Sequence, residues 1–212
     1  ALADENLTGK DLNFPAGRCP YIHQTKSWDC MLNKHKTIVV TTGTGSGKTE
    51  CFMIPVLQDL YRQRMQNPFD NGVQAIFIYP LNALMKSQQK RINAWCKALD
   101  PNITYAIYNG DTENLEKKEP NFKESKLICE SSPQMVYRQQ IRNTPPQIMF
   151  TNPTMLNYML VRQEDQPIIQ KSRGKLRWIL LDEAHSYSGS AASELALQIR
   201  RIINAFGETI DD

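Results

Sequence analysis

A β-branched run, Thr37-Ile38-Val39-Val40, leads into Thr42-Gly43-Thr44-Gly45-Ser46-Gly47, and apolar residues then recur at helical spacing from Lys48 to about Arg64. The pattern predicts a strand, a glycine loop and a helix in that order. Pro55 falls inside the predicted helix, where its missing N–H and its ring should kink or interrupt it. The loop residues suit a polyphosphate. Glycines let the backbone wrap around it, and successive N–H groups and the helix N-terminus face its charge. Lys48 can neutralise β and γ oxygens, and Thr49 can ligate magnesium. Thr42 stands where the general phosphate-loop pattern has its first glycine, so this loop is a variant.

The same alternation continues along the chain. Strands are expected over 74–79, 103–108, 147–150 and 176–181. Helices are expected over 81–99, 153–161 and 191–206, with Pro153 in the first turn of the second. Apolar strands alternating with amphipathic helices indicate an α/β fold, a mostly parallel sheet covered on both faces. The polar stretch from Asp111 to Pro146 reads as a surface excursion with a short helix near Met135 to Ile141. At 212 residues, 41% hydrophobic and 22% charged, the chain has room for one domain with a real core, and a disordered, collagenous or coiled-coil protein is excluded. Its net charge of +3 permits contact with a phosphate backbone without requiring it. No apolar run reaches the roughly 18 residues of a membrane helix and no leader pattern opens the sequence, so a cytoplasmic location without membrane contact is expected. The five cysteines, Cys19, Cys30, Cys51, Cys96 and Cys129, are never spaced as CxxC, which suggests neither a disulfide framework nor a zinc site.

A parallel sheet places its ligand sites at the carboxyl ends of its strands, and the chemically suggestive segments follow predicted strands. Asp182-Glu183-Ala184-His185 comes after Trp178-Ile179-Leu180-Leu181. A carboxylate there, Asp182, is suited to a magnesium shell, and its neighbour Glu183 to orienting water or accepting its proton. Lone basic residues such as Lys86, Lys90, Arg91, Arg138, Arg142, Arg173, Lys175 and Arg177 form no dense arm and read best as solvated faces.

Taken together, these segments resemble the first RecA-like motor domain of a superfamily 2 helicase of the DEAH type, a P-loop NTPase, over nearly the whole chain. Residues 42–49 resemble motif I, the leading threonine included, and 182–185 resemble motif II. The resemblance implies ATP and Mg2+ as cofactors. It makes Gln24 in Tyr21-Ile22-His23-Gln24 the adenine-reading glutamine, with Tyr21 beside the ring, and gives His185 the coupling of ATP state to a second motor domain. Pro80-Leu81-Asn82-Ala83-Leu84 with Gln88 resembles motif Ia, and Thr151-Asn152-Pro153-Thr154-Met155-Leu156 resembles motif Ib. Asn109-Gly110-Asp111 resembles the small glycine loop between them. In the family such loops grip the backbone of a bound strand, which the resemblance implies to be DNA.

The run from Gln147 to Met159 and the motif II continuation through Tyr187 and Gly189 are similar to the Hrq-type and Lhr-like DNA helicases. They are also similar to large anti-phage defence helicases such as the Druantia type, which would bring other defence subunits as partners. The segment divides into a flank over 1–36 and a motor domain over 37–212. Motif III and the second RecA-like domain with its arginine finger are not within it. In the family the motif III strand lies between the phosphate-loop strand and the motif II strand, so a gap in the sheet is expected. Weak ATP binding and poor hydrolysis by this segment alone follow. A nucleotide-switched scaffold and an RNA helicase are the competing readings, because backbone-gripping loops do not reveal the polymer.

Overall fold

Ala75-Ile76-Phe77-Ile78 carries no polar side chain, and in the computed structural model this run is a fully buried strand, β1. The structure describes residues 19–43, 45–68, 70–99, 103–114 and 132–209. These fall into two compact units, one of residues 1–69 with 94–103 and the other of 70–93 with 104–212.

In the second unit, β1 (Ala75–Ile78), β2 (Tyr105–Ile107), β3 (Gln134–Met135), β4 (Ile148–Thr151) and β5 (Trp178–Leu181) form a sheet of order β3-β2-β4-β1-β5. Every pairing is parallel, and Ile78 lies beside Thr151 on one side and Leu181 on the other. Strands buried on both faces explain the near-continuous apolar runs. On one face, Ile76, Ile78, Ala106 and Met149 join a core with α5 (Pro153–Val161), α6 (Gln166–Lys171) and α7 (Ser190–Ala205). The other face is aromatic: Phe77 and Phe150 have ring centroids 4.7 Å apart, and Tyr105 and Tyr79 lie 6.0 and 6.3 Å from Phe150. From α3 (Asn82–Ala98), Asn93 accepts the Tyr105 hydroxyl, which also reaches Gln134.

The first unit holds α1 (Ile22–Leu32) and α2 (Lys48–Gln66). Two expectations need correction here. Thr37–Val40 is not a strand: it has no ladder partner among the described residues, and Val39 is 86% exposed. β-branching suits a pleated, paired surface and supplies no strand without a neighbour to pair with. Pro55 does not interrupt α2. Lacking an N–H, it leaves the Cys51 carbonyl one turn earlier without its helical donor, and the Ser27 hydroxyl of α1 donates to that oxygen at 2.7 Å. The Trp28 indole donates to the adjacent Glu50 carbonyl at 2.9 Å. The Ser27 hydroxyl thus replaces the hydrogen bond that the proline removes, and the Trp28 indole adds a second tie between α1 and α2.

Within the excursion a short helix, α4 (Arg138–Asn143), follows β3 near the expected place, and residues 115–131 lie outside the described residues. Its last part is packed into the unit, with Ile141 fully buried, where a surface segment is expected. Arg138 and Arg142 do not belong to a solvated face. Arg138, 8% exposed, donates to the carbonyls of Asn109 and Thr112 at 2.6 and 2.8 Å. Arg142 pairs at 2.8 Å with the fully buried Asp165, which also accepts the Tyr108 hydroxyl. A buried carboxylate is tolerable because a guanidinium and a phenol surround it.

Ser27→Ala leaves a buried carbonyl orphaned and should cost about 1–3 kcal/mol in urea unfolding. In a double-mutant cycle with Pro55→Ala the loss should shrink, because the restored helical N–H takes over the Cys51 oxygen. Burial, followed by the hydrogen bond to Asp165, pushes the Tyr108 phenol from 10.0 to about 12. A raised folded-state value stabilises fully below the unfolded value, so stability should fall as pH rises from about 10 to about 12 and Tyr108→Phe should flatten that slope.

Candidate nucleotide and nucleic-acid site

Gly45 and Gly47 take φ of 75° and 76°, a left-handed region that a glycine enters without a Cβ penalty. Gly47 caps α2, a helix of 19 residues whose first turn begins at Lys48. The Lys48 ammonium donates to the Thr42 carbonyl at 2.8 Å and reaches the Gly43 carbonyl at 3.4 Å. The Ser46 hydroxyl links the loop internally, to the Gly43 carbonyl and the Thr42 hydroxyl, both at 2.7 Å. A Cβ added at Gly43 or Gly45 would meet nothing within 4 Å, so the loop borders open space. Thr44 lies outside the described residues. A helix N-terminus, an ammonium resting on loop carbonyls and an open glycine cradle fit a polyphosphate.

The flank ahead of this loop braces it. Gln24, 4% exposed, accepts from the Tyr21 N–H at 2.9 Å and donates to the Gly47 carbonyl at 3.1 Å. Its amide is therefore engaged at the loop's own hinge. His23 Nε2 lies 2.9 Å from the Ser46 carbonyl, a contact that requires the proton on Nε2. A single imidazole carries no spacing signal, so no sequence pattern points to His23. Tyr21 is 61% exposed and stacks on His23 with centroids 5.5 Å apart.

In the second unit the parallel register brings the loops after β1, β4 and β5 out at one edge. Asn152 caps α5 by accepting from the Met155 N–H at 2.7 Å, and its amide donates to Asn82 at 2.8 Å. The motif Ia-like and motif Ib-like segments are thereby tied together. Pro80 and Pro153 are half-buried, Leu81 is 62% exposed, and Gln88 is half-buried on α3. Gly110 is exposed, and its neighbour Asp111 pairs with Lys86 of α3 at 3.1 Å. Thr151 is different: it is buried, and its hydroxyl donates to the Tyr108 carbonyl at 2.7 Å, a sheet contact. Arg138 holds the backbone on both sides of Gly110, a brace that comes from residues 26 and 29 positions away.

After β5, Asp182 donates its N–H to the Ile78 carbonyl, and its Oδ1 accepts the Glu183 N–H at 2.9 Å. Glu183 takes φ 51° and ψ 41°, a left-handed conformation uncommon for a side chain with a Cβ. Its carboxylate lies 3.3 Å from Nδ1 of His185, which is 82% exposed. Among the described residues no group of three or more His, Cys, Asp or Glu gathers. Asp182 offers one carboxylate at the end of β5, a hard oxygen donor of the kind that suits magnesium.

Gly47→Ala should be costly on two counts, a left-handed φ and a Cβ placed 2.5 Å from Gln24 Nε2. We expect about 1–2 kcal/mol of lost stability from the backbone alone and weakened binding of a fluorescent ATP analogue. Gly43→Ala, with open space around its Cβ, should leave thermal stability unchanged in the same assay.

Comparisons with known proteins agree with this layout. The chain is 23% identical to the Druantia protein DruE of Escherichia coli, covering 86% of this chain and 15% of that protein. It is 29% identical to the ATP-dependent helicase YprA of Bacillus subtilis, over 86% of this chain and 20% of the relative. The crystal structure of the DUF1998 helicase MrfA bound to DNA and AMPPNP superposes with a TM-score of 0.66 at 26% identity, covering 95% of this chain and 24% of that one. The chain thus spans a quarter or less of the length of these proteins. The sequence profile of the DEAD/DEAH box helicases matches residues 21–210, so the chain is a RecA-like domain of superfamily 2 and belongs to that family.

Proposed function

We propose that this chain is the ATP-binding motor domain of a DNA translocase or helicase, working with a second RecA-like domain elsewhere in a longer protein. The observation that carries this reading is the open phosphate loop with Lys48 held on its own carbonyls. A phosphate oxygen offers that ammonium a full negative charge in place of a carbonyl dipole, so nucleotide binding draws Lys48 off Thr42. Thr49 and Asp182 are the residues that would hold Mg2+, which supplies neutralisation of phosphate charge when bound. Glu183 orients the attacking water and accepts its proton, and its pairing with His185 gives the histidine a means to sense that event.

DNA is the proposed polymer, supported by the structure of MrfA bound to DNA, and Asn82, Asn152, Gly110 and the adjoining Pro80, Leu81, Gln88 and Pro153 are the proposed backbone grip. Thr151 shapes this grip through the sheet. The relation to DruE supports a defence context with further subunits, and the motif II continuation supports the Hrq-type and Lhr-like branch. Motif III and the trans-acting arginine are assigned to the rest of the longer protein.

Steady-state ATP hydrolysis by the full-length protein, with single-stranded DNA, duplex DNA or RNA, tests this. Single-stranded DNA should stimulate turnover, and Glu183→Gln should lower it by about 10²–10⁴-fold. Absence of stimulation by any polymer would overturn the translocase reading in favour of a nucleotide-switched scaffold. Stimulation by RNA alone would reassign the polymer.

A further inference from the structure

Tyr79 is the residue after β1, and its ring is 1% exposed. Its hydroxyl oxygen is buried and has no hydrogen-bond partner among the described residues. Such a group carries a desolvation penalty with nothing to offset it, and native structures retain few of them. The register explains why it stands where it does. Ile78 pairs with Leu181, and the Asp182 N–H continues the ladder by donating to the Ile78 carbonyl. Tyr79 and Asp182 are therefore the next cross-strand neighbours, and paired residues of a parallel sheet project from the same face. A tyrosine hydroxyl is protonated at neutral pH and serves as a donor. The Phe150 ring lies 6.3 Å away, on the apolar side of the tyrosine.

We propose that Tyr79 is a positioning residue for Asp182, its hydroxyl donating to the oxygen shell of that carboxylate when the nucleotide-bound cation is in place. The inference rests on the assignment of Asp182 to the metal. A donor behind a metal-binding carboxylate fixes its orientation and lowers the cost of ordering it. Neither the phosphate-loop pattern nor the acidic tetrapeptide identifies this residue.

Tyr79→Phe removes one oxygen and keeps the ring. In the full-length protein, binding of a fluorescent non-hydrolysable ATP analogue is followed through a Mg2+ titration and in EDTA, together with thermal unfolding. Tyr79→Phe should raise the Mg2+ midpoint about tenfold. Affinity in EDTA should match the wild type, and the unfolding midpoint should hold or rise, because an unmatched polar atom has been removed. A wild-type Mg2+ midpoint would overturn the proposal. So would a lowered unfolding midpoint with affinity weakened equally in Mg2+ and in EDTA, the mark of a purely structural tyrosine. Asp182→Asn separates the two levels of the argument. If it abolishes the Mg2+ dependence while Tyr79→Phe leaves it intact, only the role of Tyr79 fails. If Asp182→Asn itself titrates like the wild type, the metal assignment fails and the role of Tyr79 with it.

Discussion

Parallel pairing of β1 with β4 and with β5 governs the second unit. Parallel strands must leave the sheet at the same edge, so Pro80, Asn152 and Asp182 follow Ile78, Thr151 and Leu181 by one or two residues each. The same register decides what sits behind them, an aliphatic core under α5, α6 and α7 and an aromatic row through Tyr105, Phe150 and Phe77 on the other face. A slip of one residue would exchange these faces and turn the loop-bearing positions over. The chemistry of the edge is thus a by-product of core packing several residues away from it.

Much of this was legible because it is written in apolar periodicity. The strands at 75–78, 148–151 and 178–181 and the helices at 48–66, 153–161 and 190–205 lie within a few residues of where hydrophobic spacing puts them. The phosphate loop was legible from its composition, since few arrangements require two glycines just ahead of Gly47-Lys48-Thr49, with Gly47 itself left-handed. What escaped was polar or long-range. Helix α1 read as a flank because the side chains that matter, Gln24, Ser27 and Trp28, bind carbonyls of the loop and α2 instead of filling an apolar stripe. Thr37–Val40 read as a strand because propensity is a local quantity and pairing is not.

The arginines make the same point with the opposite sign. Charge along the sequence suggested solvent for Arg138 and Arg142, yet one clamps the turn after β2 and the other neutralises the buried Asp165. Their partners are more than 20 residues distant in the chain, and no local pattern encodes a guanidinium that must find a carbonyl so far away. Gly110 is consequently exposed but not slack, because the backbone on either side of it is held from beneath.

The proline in α2 has a bearing on where the folding unit begins. An isolated helix of this sequence would lack a hydrogen bond in its second turn, and the chain replaces it with the Ser27 hydroxyl of α1, beside which the Trp28 indole adds a tie. The stretch that presents Lys48 and Thr49 is therefore not self-sufficient. A protein trimmed to start at the glycine loop would retain every residue of motif I and lose the scaffold that keeps its helix whole. The boundary relevant to folding lies ahead of Ile22, upstream of the boundary that the motif alone suggests.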